Sequence, residues 1–126
     1  MGYITIDKAD KVFSQYVRLR DGKCQRCHSL VQVNLNTGLP SSHHASHFFG
    51  RGKESTRFDP ENVDCLCYPC HRLWGGDERE EYLRFKIKQL GRKKFDLLHA
   101  RSTFTVKKDR KMSLIQAKLL LKEVML

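Results

Sequence analysis

The sequence predicts a small α+β domain stapled by a metal, and three observations carry that prediction. Helical periodicity runs along both ends of the chain, short alternating segments fill its middle, and two Cys-x-x-Cys knuckles, Cys24 with Cys27 and Cys67 with Cys70, frame those segments. A two-residue gap lets both sulfurs of a knuckle face one ion, and two knuckles supply the four thiolates of a tetrahedral structural zinc site. At 126 residues the chain suffices for one domain, read here as a zinc-bearing body over residues 1–102 followed by a basic linker and helix over 103–126.

From the N-terminus, Ile6, Ala9, Phe13, Tyr16 and Val17 recur at helical spacing, and Asp21-Gly22 ends that helix at the first knuckle. Val31, Val33 and Leu35 alternate with polar residues and predict a strand that turns at Asn36-Thr37-Gly38. Residues 43–49 read as a second strand, 50–61 as a glycine-bearing loop, and 62–67 as a third strand. Residues 68–74 form a short helix closed by Gly75-Gly76. Asp77 with Glu80 has the capping-box spacing for the next helix, whose stripe is Tyr82, Leu83, Ile87 and Leu90 and whose stop is Gly91. A short helical piece is expected at 95–99 and a connector at 103–111. Ser113 with Gln116 reads as the cap of a last helix that presents Leu114, Ala117, Leu121 and Val124.

Cys65 is the fifth cysteine. It reads as a buried core thiol, with substitution for a knuckle ligand as the alternative. An odd cysteine count in metal-clamp spacing suits a reducing compartment better than a disulfide framework. The sequence has no bilayer-length apolar run and no leader pattern, so the expectation is a protein of the cytoplasm, that of a host cell if phage-encoded.

The net charge of +10 lies entirely in the last third: 13 Lys and Arg face 3 Asp and Glu from Leu83 onward, against 11 and 11 before it. One-sided basic charge is the footprint of a polyanion partner, here DNA, and the competing reading is a solvated lysine-rich helical face. Arg51, Lys53 and Arg57 in the central loop are candidate phosphate contacts, with Arg57 ranked first. Arg92, Lys93 and Lys94 are candidates for sequence-independent backbone contact.

Four histidines, His43, His44, His47 and His71, are surplus to the cage. A histidine on a strand (His47), an asparagine after a long loop (Asn62) and a histidine just beyond a Cys-x-x-Cys (His71) resemble the HNH, or His-Me finger, nuclease motif. The stretches 44–48, 56–59 and 62–71 are similar more narrowly to phage recombination endonucleases of the lambda NinG/Rap type. The likeness covers about residues 20 to 100. It implies a zinc-stapled ββα core with flanking N- and C-terminal helices. It also implies metal-dependent hydrolysis of DNA, branched or duplex, leaving a 5′-phosphate and a 3′-hydroxyl.

In that reading His47 is the general base, Asn62 orients it, and His71 holds a catalytic Mg2+ or Mn2+. Ser46 stands where many members carry a metal-binding Asp or His, so the first-strand ligand is His44, or else His43, or this strand supplies none. Symmetric cutting of a four-way junction would need two active sites, hence a homodimer. The rival reading is a zinc-ribbon module that binds nucleic acid without cutting it, and a third is a metal-linked assembly protein that docks through its last helix. Neither needs His47, Asn62 and His71 together.

Overall fold

The computed structural model describes residues 4–126. Helix α1 (Lys8–Asp21) opens on a reciprocal capping box: Asp7 accepts from the Asp10 N–H while the Asp10 carboxylate accepts from the Asp7 N–H. Gly22, in left-handed conformation (φ 68°), ends it with a bond from its N–H to the Arg18 carbonyl. Strands β1 (His44–His47) and β2 (Val63–Leu66) pair antiparallel, His44 opposite Leu66 and His47 opposite Val63. A short helix α2 (Glu54–Arg57) and a 3₁₀ turn (Pro60–Asn62) bridge them. Helix α3 (Tyr68–Gly75) follows β2 directly, then α4 (Arg79–Leu90), α5 (Arg92–Ser102) and α6 (Arg110–Met125).

The period of two along β2 divides the core between the two faces of the sheet. Val63 and Cys65 join Phe13, Tyr16, Val17, Ala45 and Ala117 in the cluster that binds α1 and α6 to the sheet. Leu66 joins Phe48, Trp74, Tyr82 and Phe95 in the cluster that seats α3, α4 and α5. Helix α6 is thus part of the main core. Leu120, Leu121 and Val124 pack on the α1 cluster beside Ala117.

Helix α2 forms inside the expected 50–61 loop, and the structure departs from the sequence reading at four further elements. No strand forms over Val31–Leu35; only isolated bridges join Lys23 to Leu30 and Val33 to Pro40. The Asn34 side chain accepts from the N–H groups of Asn36 and Thr37 and so supplies partners that a strand would have sought in a neighbour. Helix α4 starts at Arg79 behind Glu78, with no side-chain cap from Asp77, because the chain leaves α3 through tight backbone turns such as Glu78 N–H to Leu73 O. Helix α5 is longer than expected. Helix α6 starts three residues before Ser113, capped by Asp109, whose carboxylate accepts from the Met112 N–H. Its first residue, Arg110, is held by Asp7 and by both oxygens of Glu54.

Inside α4, Lys86 is buried and Leu83 exposed, the reverse of a plain apolar stripe. The Lys86 ammonium meets Asp64 at 3.2 Å and Gln89 at 2.8 Å, and Gln89 and the Tyr82 hydroxyl also reach the Asp64 carboxylate. A buried ion persists only when its partners are complete, and here they are.

Candidate active site and metal cage

The knuckles converge. The sulfurs of Cys24, Cys27, Cys67 and Cys70 all lie within 4.8 Å of one another, and those of Cys27 and Cys67 are 3.6 Å apart. Zn–S bonds of roughly 2.3 Å place the sulfurs of a tetrahedral site about 3.8 Å apart, so this spacing fits a metal such as zinc. The first knuckle turns tightly, with the Cys27 N–H directed at Cys24 Sγ and the His28 N–H at Cys24 O. The second straddles the start of α3, where Cys67 is the N-cap residue and Cys70 the third helical residue. The Ser29 hydroxyl helps hold the Cys27 thiol down at about 6, whereas burial pushes Cys70 up to about 12. A cation among the four sulfurs would deprotonate both. Cys65 stands outside this group, fully buried in the α1 cluster, and burial pushes its thiol up to about 12.

One turn beyond Cys67, His71 lies where α3 approaches β1. Its ring centroid is 5.5 Å from that of His44, and His71 and His47 line one cavity of about 360 Å³ with Ile4, Ile6, Gly50 and Arg51. His43 turns elsewhere: its ring nitrogens meet Ser42 Oγ at 2.8 Å and Ser29 at 3.1 Å. Desolvation keeps both His44 and His71 below the usual imidazole range, His44 further lowered by Arg18 and His71 by His44. Both therefore sit as neutral imidazoles, the form that ligates cations.

The tautomer of His47 follows from its surroundings. Nε2 lies 2.9 Å from the Arg57 carbonyl, which can only accept, so Nε2 carries the proton. The lone pair is then on Nδ1, which is buried with no hydrogen-bond partner. Burial, then the Arg51 charge, bring this imidazole down to about 4. The loop that supplies the carbonyl is pinned by Asn62, fully buried: its amide donates to Phe49 O and Thr56 O and accepts from the Phe49 N–H. Asn62 thus acts on His47 through the 49–57 backbone and does not touch the ring.

The loop cations separate by burial. Arg57, ranked first for phosphate contact from the sequence, is 4% exposed. Its guanidinium grips Asp10 bidentately at 2.9 and 2.6 Å and also donates to Thr5 O. Arg57 thus ties the central loop to the start of α1, with its guanidinium committed to those partners rather than held out to solvent. Burial pushes the Asp10 carboxyl up, but the Arg57 pair and the cap bond from Asp7 outweigh it and hold the group at about 2. Arg57→Ala would strand a buried carboxylate, and we expect destabilisation by about 3–5 kcal/mol in urea unfolding. A value under about 1 kcal/mol would mean the pair is not the tether.

Arg51 is different. It is only 3.9 Å from Asp10, its Nε has no hydrogen-bond partner, and it lines both the His47 cavity and a neighbouring cavity of about 380 Å³. Lys108 and Arg110 of the linker and α6 line that second cavity, a convergence that no local sequence signal announces. Lys53, Arg92, Lys93 and Lys94 are exposed and line neither cavity.

No helix among the described residues is long and apolar enough to cross a membrane. Comparison of the chain with protein-family models, with curated proteins and with solved structures gives no match.

Proposed function

We propose that this protein is a metal-dependent DNA endonuclease of the HNH type, in which β1, β2 and α3 act as the ββα unit and a zinc ion in the four-cysteine cage fixes α3 against the first knuckle. The observation that carries the reading is His47. Its Nε2–H is committed to a backbone carbonyl, and its bare Nδ1 belongs to a side chain that lines one cavity with His71 and Arg51. A half-buried imidazole with one nitrogen fixed and the other free is built to accept a proton.

In the proposed mechanism Nδ1 of His47 removes a proton from the attacking water, and the Arg57 carbonyl steadies the imidazolium through Nε2–H. Arg51 holds the phosphate and offsets its charge. His44 and His71 would hold the catalytic cation, the rest of its shell being left to water and phosphate oxygens. When bound, the cation supplies Lewis-acid stabilisation of the phosphoryl and leaving oxygens. Two imidazoles, with no third ligand clustered beside them among the described residues, suit Mn2+ better than Mg2+.

The pH profile follows. Only unprotonated His47 is a base, so rate is lost as pH falls through its pKa. With that value at about 4, the acid limb of kcat/KM should lie well below the ordinary imidazole range. A limb at the ordinary imidazole value of about 6.5 would contradict the buried base. The basic linker offers a separate check. Neutralising Lys107, Lys108 and Lys111 should lower the salt slope of DNA binding by about 0.9 for each phosphate these lysines had neutralised. An unchanged slope would assign those charges elsewhere.

The proposal is tested on supercoiled plasmid, flap and four-way junction substrates with Mn2+, Mg2+ or EDTA, followed by end-group analysis. We expect metal-dependent products bearing 5′-phosphate and 3′-hydroxyl ends. Tight, salt-sensitive binding without products under any metal would leave the non-cutting zinc-ribbon module.

A further inference from the structure

Two exposed side chains of α3, Tyr68 and Arg72, flank the proposed cation ligand His71 and have no part in the mechanism. Tyr68, His71 and Arg72 stand at positions i, i+3 and i+4, the spacing that puts side chains on neighbouring turns of one helix face. Tyr68 is 59% exposed, unusual for so large a ring beside a polar site. One neighbour of its ring is His44, at 5.9 Å between centroids, and the Arg72 guanidinium lies 5.9 Å from its centre. Tyr68 and Arg72 also border an open cavity of about 560 Å³ completed by Pro69, Leu73, Gly76 and Asp77.

We propose that this cavity is a subsite for one unstacked nucleobase of the cut strand, with Tyr68 as its stacking platform; the proposal rests on the nuclease reading for the placing of the scissile phosphate. The chemistry of the lining favours a base over a phosphate. Its walls are an aromatic ring, a proline and a leucine, with a single cation and a single anion, Arg72 and Asp77, that cancel in charge. A phosphodiester would be repelled by Asp77 as much as it is drawn by Arg72 and so gains no net attraction, whereas a base presents a π-face to Tyr68 and edge donors to Asp77. Stacking on an aromatic side chain is tolerant of sequence, and an unpaired or mismatched nucleotide enters at least cost. Tyr68 would therefore select a nucleotide already out of the duplex beside the scissile bond.

The test uses the zinc-loaded full chain and short oligonucleotides carrying 2-aminopurine, with an abasic residue at the same place as control. Stacking on one aromatic contributes about 1–3 kcal/mol, so Tyr68→Ala should weaken single-strand binding roughly 5- to 150-fold and remove the fluorescence quench. Fully paired duplex should bind within about twofold of wild type, and Tyr68→Phe should behave as wild type. Arg72→Ala, which leaves the residue next to Cys67 untouched, should weaken single-strand binding severalfold and covers the case in which Tyr68→Ala disturbs the cage. Equal affinity of wild type for the aminopurine and abasic strands, or equal losses on single strand and duplex, would overturn the subsite. Metal-dependent cutting that ignores both variants would overturn it while the nuclease stands. Tyr68-dependent stacking by a protein that cuts nothing would keep the subsite and overturn the nuclease.

Discussion

Cys24→Ser, or stripping of metal by a strong chelator, is expected to unfold the domain. The cage joins the loop after α1 to the first turn of α3, and Cys24 and Cys70 are themselves part of the buried cluster under α3 and α4. Structural zinc contributes an apparent free energy of about 10–16 kcal/mol in small zinc-folded units at neutral pH, as much as the whole stability of an ordinary domain. Helical circular dichroism should therefore fall as the zinc is released, one ion per chain. Cys65→Ser gives the contrast: a buried thiol outside the cage should cost about 1–3 kcal/mol and leave zinc content at one per chain. Retention of the thermal transition after complete metal removal would show that the cysteines do not staple the fold.

His47→Ala should fold, bind zinc and bind DNA, yet cleave about 10²- to 10⁴-fold more slowly. The side chain is half-buried at the end of β1 and its one hydrogen bond is to the Arg57 carbonyl, so its removal leaves the Asp10–Arg57 tether and the Asn62 clasp in place. Asn62→Ala makes the complementary case. It frees Phe49 and Thr56 backbone groups in the interior, so it should lower stability and activity together. A His47→Ala protein with full activity would remove the base from the mechanism, whatever its stability.

The parts of this site that are legible in the sequence are those fixed by local spacing. The two-residue gaps of the knuckles, the short strand expected at 62–67 and the position of His71 one turn after Cys67 depend only on covalent geometry and element length. What cannot be read there is set by partners distant in the chain. Arg57 looks like any loop arginine until Asp10, 47 residues earlier, is brought beside it by α1. Lys86 breaks an apolar stripe because Asp64 waits beneath it. The alternation of Val31, Val33 and Leu35 is strand-like, but Leu35 is 98% exposed and only isolated bridges form around it. Helix α6 begins ahead of its Ser113 signal for a similar reason, since Arg110 is drawn into the helix by ion pairs with Asp7 and Glu54 that no cap pattern encodes.

Single-turnover cleavage of an end-labelled DNA by zinc-loaded wild type and His47→Ala, with Mn2+ and with EDTA, tests the central claim most directly. The account predicts cutting by wild type that requires the added cation and falls by about 100-fold or more in the variant at equal DNA occupancy. Equal rates for the two proteins, or cutting that EDTA does not affect while the zinc cage stays intact, would contradict it.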